Sequence, residues 1–227
     1  MFVNKKIQMS ESIILNLILA LSGGAMDAYS YLARGKVFAN AQTGNILLLG
    51  INLASANFNR ALKFFLPITA FVLGIFTANI IRYICRERAF HWRQIAVFME
   101  ILLLAIVPFI SKENNAISNG LISLACGIQV QSFQSIYGNS IATTMCIGNL
   151  RKCMDNLSKF IYSRKHLYLK QSAVYFLVIL FFMIGAIVEG YLIKVLKLKA
   201  IVFSIILLVI SFILMHRPII NLKESRR

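Results

Sequence analysis

Acid is what this chain has least of. Eight Asp and Glu stand against 24 Lys and Arg in 227 residues, and charged residues of both signs make up only 14%. A soluble domain carries about 25% charged residues, so the shortage excludes an ordinary water-facing globule and points to a lipid-embedded protein. Hydrophobic residues fill 59% of the chain, and the few charges cluster between apolar blocks. The formal net charge of +16 suggests nucleic acid at first sight. The placement of the basic residues excludes it, because they flank apolar runs of membrane length. They read as topology determinants and contacts for anionic lipid.

Histidine and cysteine are also sparse, at three and four residues. Cys85, Cys126, Cys146 and Cys153 form no C-x-x-C pair, and His91, His166 and His216 stand far apart. No zinc or haem spacing results, so no metal, no cofactor and no required disulfide is expected. Nucleophile elbow, H-E-x-x-H helix and nucleotide loop are all missing, and the chain is not read as an enzyme.

What is there is a series of apolar runs, at about 12–33, 63–84, 94–111, 117–137, 171–192 and 199–216. Two further helical stretches follow the first and fourth. Gly44–Asn57 is too short to span, since its helix reaches about 21 Å against a hydrocarbon core of about 30 Å. Ile147–Tyr162 carries Arg151, Lys152, Asp155 and Lys159 opposite a stripe of Leu150, Cys153, Met154, Leu157, Phe160 and Ile161. That spacing is one face of an amphipathic helix at the interface or against its neighbours. The expected fold is an all-α polytopic membrane helix bundle, one integral membrane domain over 1–227, with about six transmembrane helices and two short non-spanning ones. With both termini cytoplasmic, six spans place Arg82, Arg86, Arg88, Arg93, the run Arg151–Lys170 and the tail Arg217–Arg227 inside. Eight spans would turn Arg82–Arg93 outward, so the positive-inside rule favours six. Lys5 and Lys6 before the apolar run Ile13–Leu21 have the outline of a signal peptide. The same segment recurs in mid-chain, where no peptidase acts, so it is read as a retained helix.

That recurrence is the main internal signal. Gly23–Gly50 and the passage from Cys126 onward align without gaps. Gly24 falls near Gly127, Tyr29 on Phe133, Asp27 on Gln131, and Gly44-Asn45 on Gly148-Asn149. GIFTANIIRY from Gly74 resembles GAIVEGYLIK from Gly185, and Ala96–Phe98 parallels Ile201–Phe203. The repeats cover about 12–111 and 117–216. Three spans per copy is an odd number, so the second copy enters the membrane the other way up. Such inverted repeats are a common construction of secondary transporters.

Each copy links a long helix to a short one through a polar motif. In Phe38–Asn45, Thr43 is a candidate N-cap, Gly44 allows close backbone approach, and Asn40, Gln42 and Asn45 supply amides. A helix start at membrane depth needs a partner for its open N–H groups, which a carboxylate, an anion or a polar side chain would supply. A capped turn that merely packs two helices is the equal alternative. In the second copy Thr144, Gly148 and Asn149 are the counterparts, with Ile147 in place of the threonine. Asp27 is the most informative acid, well inside an apolar helix, where a lone carboxylate costs several kcal/mol. It reads either as a proton or cation site or as a hydrogen-bond acceptor for a helix start. Gln131 is its neutral counterpart. Glu100 and Glu189 also lie in spanning helices, near enough to the ends to reach headgroups. Asp155 belongs to a solvated face. Gly74, Ala78, Gly185, Ala186 and Gly190 form small-residue faces for close helix packing. Tyr29, Tyr31 and Phe133 are read as packing aromatics that could also line a cavity.

Gly24–Leu32, Phe38–Asn45 and Ala142–Leu150 resemble the signature of the YoaK family, small bacterial membrane proteins catalogued as a domain of unknown function. The resemblance covers nearly the whole chain and implies a multi-pass protein of the bacterial inner membrane. The family pattern has Thr-Gly-Asn in the second copy, from which Ile147 departs. The resemblance supplies no substrate. The functional expectation is a small secondary transporter or permease for an unidentified small solute. Its path would run between the repeats past Asp27, Asn40, Gln42, Thr43, Gly44, Asn45, Gln131, Thr144, Gly148 and Asn149. The rival expectation is a non-transporting scaffold or partner subunit. The bilayer is the expected partner, nucleic acid is not, and a homo-oligomer stays open.

Overall fold

In the computed structural model the described residues are 4–7, 9–85, 92–136, 139–140, 143–216 and 220–223. Arg86, Arg88, His91, Ala142 and much of the basic tail from Arg217 lie outside them. The apolar runs become helices in the expected order: α1 (Ile13–Ala33), the short α2 (Gln42–Ala54), α3 (Phe58–Ile84), α4 (Trp92–Ile106), α5 (Asn115–Ser132), α6 (Cys146–Ser163), α7 (His166–Leu196) and α8 (Val202–Leu214). Ser12 starts α1 by accepting the Leu15 N–H at 3.3 Å, and Asn57 starts α3 by accepting that of Arg60 at 3.3 Å. Residues with positive φ follow α2 and α6 directly, at Ala56 and Arg164, and Arg164 ends α6 in the left-handed conformation that glycine commonly supplies; Lys36 and Lys197 also have positive φ. α3 and α7 begin several residues before their apolar runs, α3 from the Asn57 cap and α7 without a side-chain cap.

The bundle is not wholly helical. Two small antiparallel ribbons occur, β1 (Asn4–Ile7) with β4 (Ile220–Lys223), and β2 (Ser135–Ile136) with β3 (Asn139–Ser140). Hydropathy gave no sign of either: β1, β3 and β4 lie outside the apolar runs, and β2 falls on the last residues of the run 117–137. The first brings the two ends of the chain together on one face.

Four helical segments are long and apolar enough to cross a membrane: Ile13–Ala33, Phe58–Ile84, Trp92–Phe109 and His166–Lys199. α5 and α8 do not meet the same test. α8 has 13 residues, or about 20 Å. α5 has 18 residues but carries Asn115, Ser118, Asn119, Ser123, Gln129 and Gln131. Its polar side chains turn inward: Ser118, Asn119, Ser123 and Gln129 are buried.

Packing is arranged across the chain, not along it. The most extensive contacts join α1 to α7 and α3 to α5. Glycine sets both. A Cβ on Gly24 would strike the Phe182 carbonyl of α7, and one on Gly185 would strike that of Leu21 in α1. Likewise a Cβ on Gly127 would strike the Phe71 carbonyl of α3, and one on Gly74 that of Leu124 in α5. Each crossing is a backbone-to-backbone approach that only glycine permits. Gly190 lies outside this contact and meets only the Leu32 side chain, at 3.8 Å. The main core gathers α1, α4, α5 and α8 around Leu19, Met26, Val97, Leu104, Ile122, Cys126 and Leu208. Apolar side chains on the outer faces of α3 and α7, such as Phe76, Ile80, Phe176 and Ile187, are exposed, as lipid contact requires.

Candidate functional site around Asp27 and the helix-linking loops

α1 is the most enclosed span, and its polar residues face inward. Gly23 and Asp27 lie one turn apart on one face, and the loop after α1 folds back along that face. The Asn40 backbone N–H donates to Asp27 Oδ1 at 2.7 Å. The amides of Ala39 and Ala41 also act on the carboxylate. Asn40 Nδ2 donates to the Gly23 carbonyl at 3.1 Å. Asp27 is therefore held by a cradle of backbone donors, the acceptor role foreseen for a helix start.

Asn45 closes the loop from the other side. Its Oδ1 accepts the Phe38 N–H at 3.1 Å, and its Nδ2 donates to the Phe38 carbonyl at 2.7 Å and to Gln42 Oε1 at 2.9 Å. Gln42 Nε2 donates to the Ala39 carbonyl at 2.8 Å. Asn45 is fully buried. The Gly-Asn motif thus works as a clamp on its own loop. Gly44 makes room for Phe38, whose ring would stand 3.0 Å from an added Cβ and which stacks on Tyr31 at 5.0 Å. Thr43 is not the N-cap. α2 starts at Gln42 with Ala41 before it and no side-chain cap, and Thr43 is exposed. The cap is unnecessary because Asn45 and Asp27 already bind the loop.

The second copy uses other residues. Thr143 and Thr144 are buried. The Thr144 methyl group occupies the place where a Gly23 side chain would go, so Asn40 and Thr144 meet at the same glycine. Gln129 Nε2 donates to the Leu19 carbonyl at 3.0 Å and to Thr143 Oγ1 at 3.4 Å. Gln129, not Gln131, is the interior polar residue of α5 beside this loop. Gln131 does not join the group: it bonds Asn79 Oδ1 at 2.6 Å and accepts from Gln134 at 2.8 Å, near the surface. Gly148 is exposed with open space where a Cβ would sit, and Ile147 is exposed, while Asn149 is buried. The gapless alignment puts Asp27 on Gln131, and the register of the crossing glycines Gly24 and Gly127 would put it on Val130, so neither register picks out Gln129.

Two further acids belong to the interior. Glu100 of α4 and Glu189 of α7 are both fully buried, and neither carboxyl has a hydrogen-bond partner among the described residues. They do not reach headgroups, because each lies on the face of its helix turned into the bundle. The Cys126 thiol lies 3.7 Å from Met26 Sδ, against Asn40, and within electrostatic reach of both Asp27 and Glu100. Asp27, Asn40, Cys126 and Glu100 thus form a string of polar groups from α1 through α5 to α4. Among the described residues no three His, Cys, Asp or Glu side chains are grouped to hold a metal. Asp155 is exposed and pairs with Lys159 at 3.1 Å.

Sequence reading missed Arg34. It is fully buried. Its guanidinium donates to the carbonyls of Val107 at 2.8 Å, Ile110 at 2.9 Å and Ser111 at 3.2 Å, and to Tyr29 Oη at 3.0 Å. Tyr29 Oη in turn donates to the Leu198 carbonyl at 2.8 Å. The pair closes the open carbonyl ends after α4 and ties α1 to the turn before α8. A lone Arg just past an apolar run, followed by Gly35, was the available signal.

Comparison with known proteins agrees with this architecture. The chain is similar to the UPF0700 transmembrane protein YoaK of Bacillus subtilis (strain 168), at 23% identity over 180 residues, covering 75% of this chain and 79% of that protein. No solved structure matches. The profile of the family described as "Protein of unknown function (DUF1275)" matches residues 15–214, and with nearly every helix inside that match, this transmembrane chain belongs to that family.

Proposed function

We propose that the chain is a small secondary transporter, in which the polar string Asp27–Asn40–Cys126–Glu100 lines the route of a small solute or its coupling ion. One observation carries this reading: Glu100 is fully enclosed in a spanning helix, without a hydrogen-bond partner among the described residues, and it and Asp27 both lie within electrostatic reach of Cys126. A carboxyl so placed costs several kcal/mol as an anion, and such groups mark proton and ion pathways. The reciprocal glycine crossings support a duplicated, inverted build. One register shift carries Leu21 and Gly24 to Leu124 and Gly127, and a second carries Phe71 and Gly74 to Phe182 and Gly185. Pairing of β1 with β4 supports an even number of crossings. In this reading α5 and α8 complete six spans, sheltered from lipid by their neighbours, and the basic residues around Arg82, Arg93 and the start of α7 face the cytoplasm of a bacterium.

The test is flux into proteoliposomes across a panel of small anions, amino acids and cations. Asp27→Asn and Glu100→Gln are expected to abolish or uncouple any flux found. Unchanged flux in both variants would remove the site from consideration. A second reading, a scaffold without transport, is favoured by one feature: the Asp27 carboxylate is already occupied by the amides of its own loop. It predicts no flux for any solute and unfolding, not uncoupling, in Asp27→Asn.

A further inference from the structure

A separate cavity of about 300 Å³ opens where α3, α4 and α5 end or begin, lined by Arg82, Trp92, Arg93, Gln131, Ser132, Gln134 and Ser135. It shares no hydrogen bond with the Asp27 loop. Its lining is polar and cationic, and its size is at the lower end for small-molecule sites. We infer that this cavity binds a phosphate group, carried by an anionic lipid headgroup or a small phosphorylated solute.

The two arginines have different duties. Arg93 is committed to the fold: Nε donates to the Ser132 carbonyl at 2.9 Å, Nη1 to Ser10 Oγ at 2.9 Å, and Nη2 pairs with Glu11 at 3.5 Å. Arg82 is exposed. Its guanidinium lies 5.7 Å from the Trp92 ring, opposite a second face contact from Arg93 at 5.2 Å. It has no ion pair or hydrogen bond among the described residues, and Glu11 is taken by Arg93. Among the described residues, two guanidiniums against one indole with one paired acid leave an excess of positive charge at the cavity. A planar guanidinium with free N–H groups is the side chain best matched to phosphate oxygens. The amides of Gln131 and Gln134, chained to Asn79, add donors on the same wall. The ends of three helices place the cavity at the level of the headgroups.

The chain contains one tryptophan, and it lines this cavity, so intrinsic fluorescence reads the site alone. The full-length protein in neutral detergent would be titrated, at constant ionic strength, with inorganic phosphate, with a short-chain phosphatidylglycerol and with a short-chain phosphatidylcholine. The expected result is a saturable shift of Trp92 emission with at least one phosphate-bearing anion, weakened at least tenfold in Arg82→Gln and largely kept in Arg82→Lys. Saturation with phosphatidylglycerol alone assigns a lipid headgroup; saturation with inorganic phosphate as well assigns the phosphate itself. Substituting exposed Lys165, which does not line the cavity, should change nothing. No saturable response to either anion, an equal response to the zwitterionic lipid, or an undiminished response in Arg82→Gln would overturn the assignment.

Discussion

Replacing Asn45 by Ala tests what the Gly-Asn motif is for. The side chain is fully buried and makes three hydrogen bonds, two of them to both polar groups of the Phe38 backbone. A net intramolecular hydrogen bond contributes about 0.5–1.5 kcal/mol, so three sum to roughly 2–4 kcal/mol. The upper half of that range is expected, because Phe38 N–H and C=O lie where little water can replace the lost partner. Asn45→Asp separates the two bonds. The carboxylate still accepts from Phe38 N–H but donates nothing to its carbonyl or to Gln42, and it adds a second buried charge near Asp27. It should therefore destabilise no less than Ala, although it is nearly isosteric. Unfolding in mixed micelles with rising mole fraction of dodecyl sulfate, followed by circular dichroism, reads the loss as a lower midpoint with the slope unchanged. A midpoint for Asn45→Ala within about 0.5 kcal/mol of the parent would refute the clamp and return the motif to solute contact.

Gly24 and Gly74 should separate from Gly148 by sign. Gly24→Ala and Gly74→Ala drive a methyl group into a neighbouring backbone carbonyl and are expected to cost about 1–3 kcal/mol or more, read by the same titration. Gly148→Ala meets open space and should stabilise α6 by about 0.5–1 kcal/mol. Arg34→Gln removes charged donors from three carbonyls, each such bond being worth about 1.5–3 kcal/mol. It is expected to cost at least about 3 kcal/mol, with Tyr29→Phe costing about 1; hydrogen exchange at the last turn of α4 should speed up in both.

The helices were legible because lipid imposes a long apolar run on any span. The short helices were legible because their length and charge contradict spanning. The partner of each helix was not. Nothing in the α1 sequence says that it packs on α7, although the glycines that make the contact were visible as small-residue positions in α3 and α7. Asp27 was legible as a costly group, since one acid in an apolar helix has few readings. Its partner was not, because backbone amides leave no trace in composition. Gln129 escaped because Gln131 offered the same chemistry two residues on, and neither the Gly-Asn register nor that of Gly127 points to position 129. Arg34 escaped because a cation beside an apolar run reads as a surface marker until its acceptors are seen.

The cross-chain packing has a consequence for biosynthesis. α1 is made first, yet the helix against which it fits emerges only after five others. Until then the crossing face of Gly24 and Leu21 lacks its permanent neighbour, although the loop that cradles Asp27 is already at hand. A nascent first half is thus an unfinished surface waiting in the bilayer, prone to capture by quality control or by a holding factor. Translation must complete α7 before the earliest helix has a settled place.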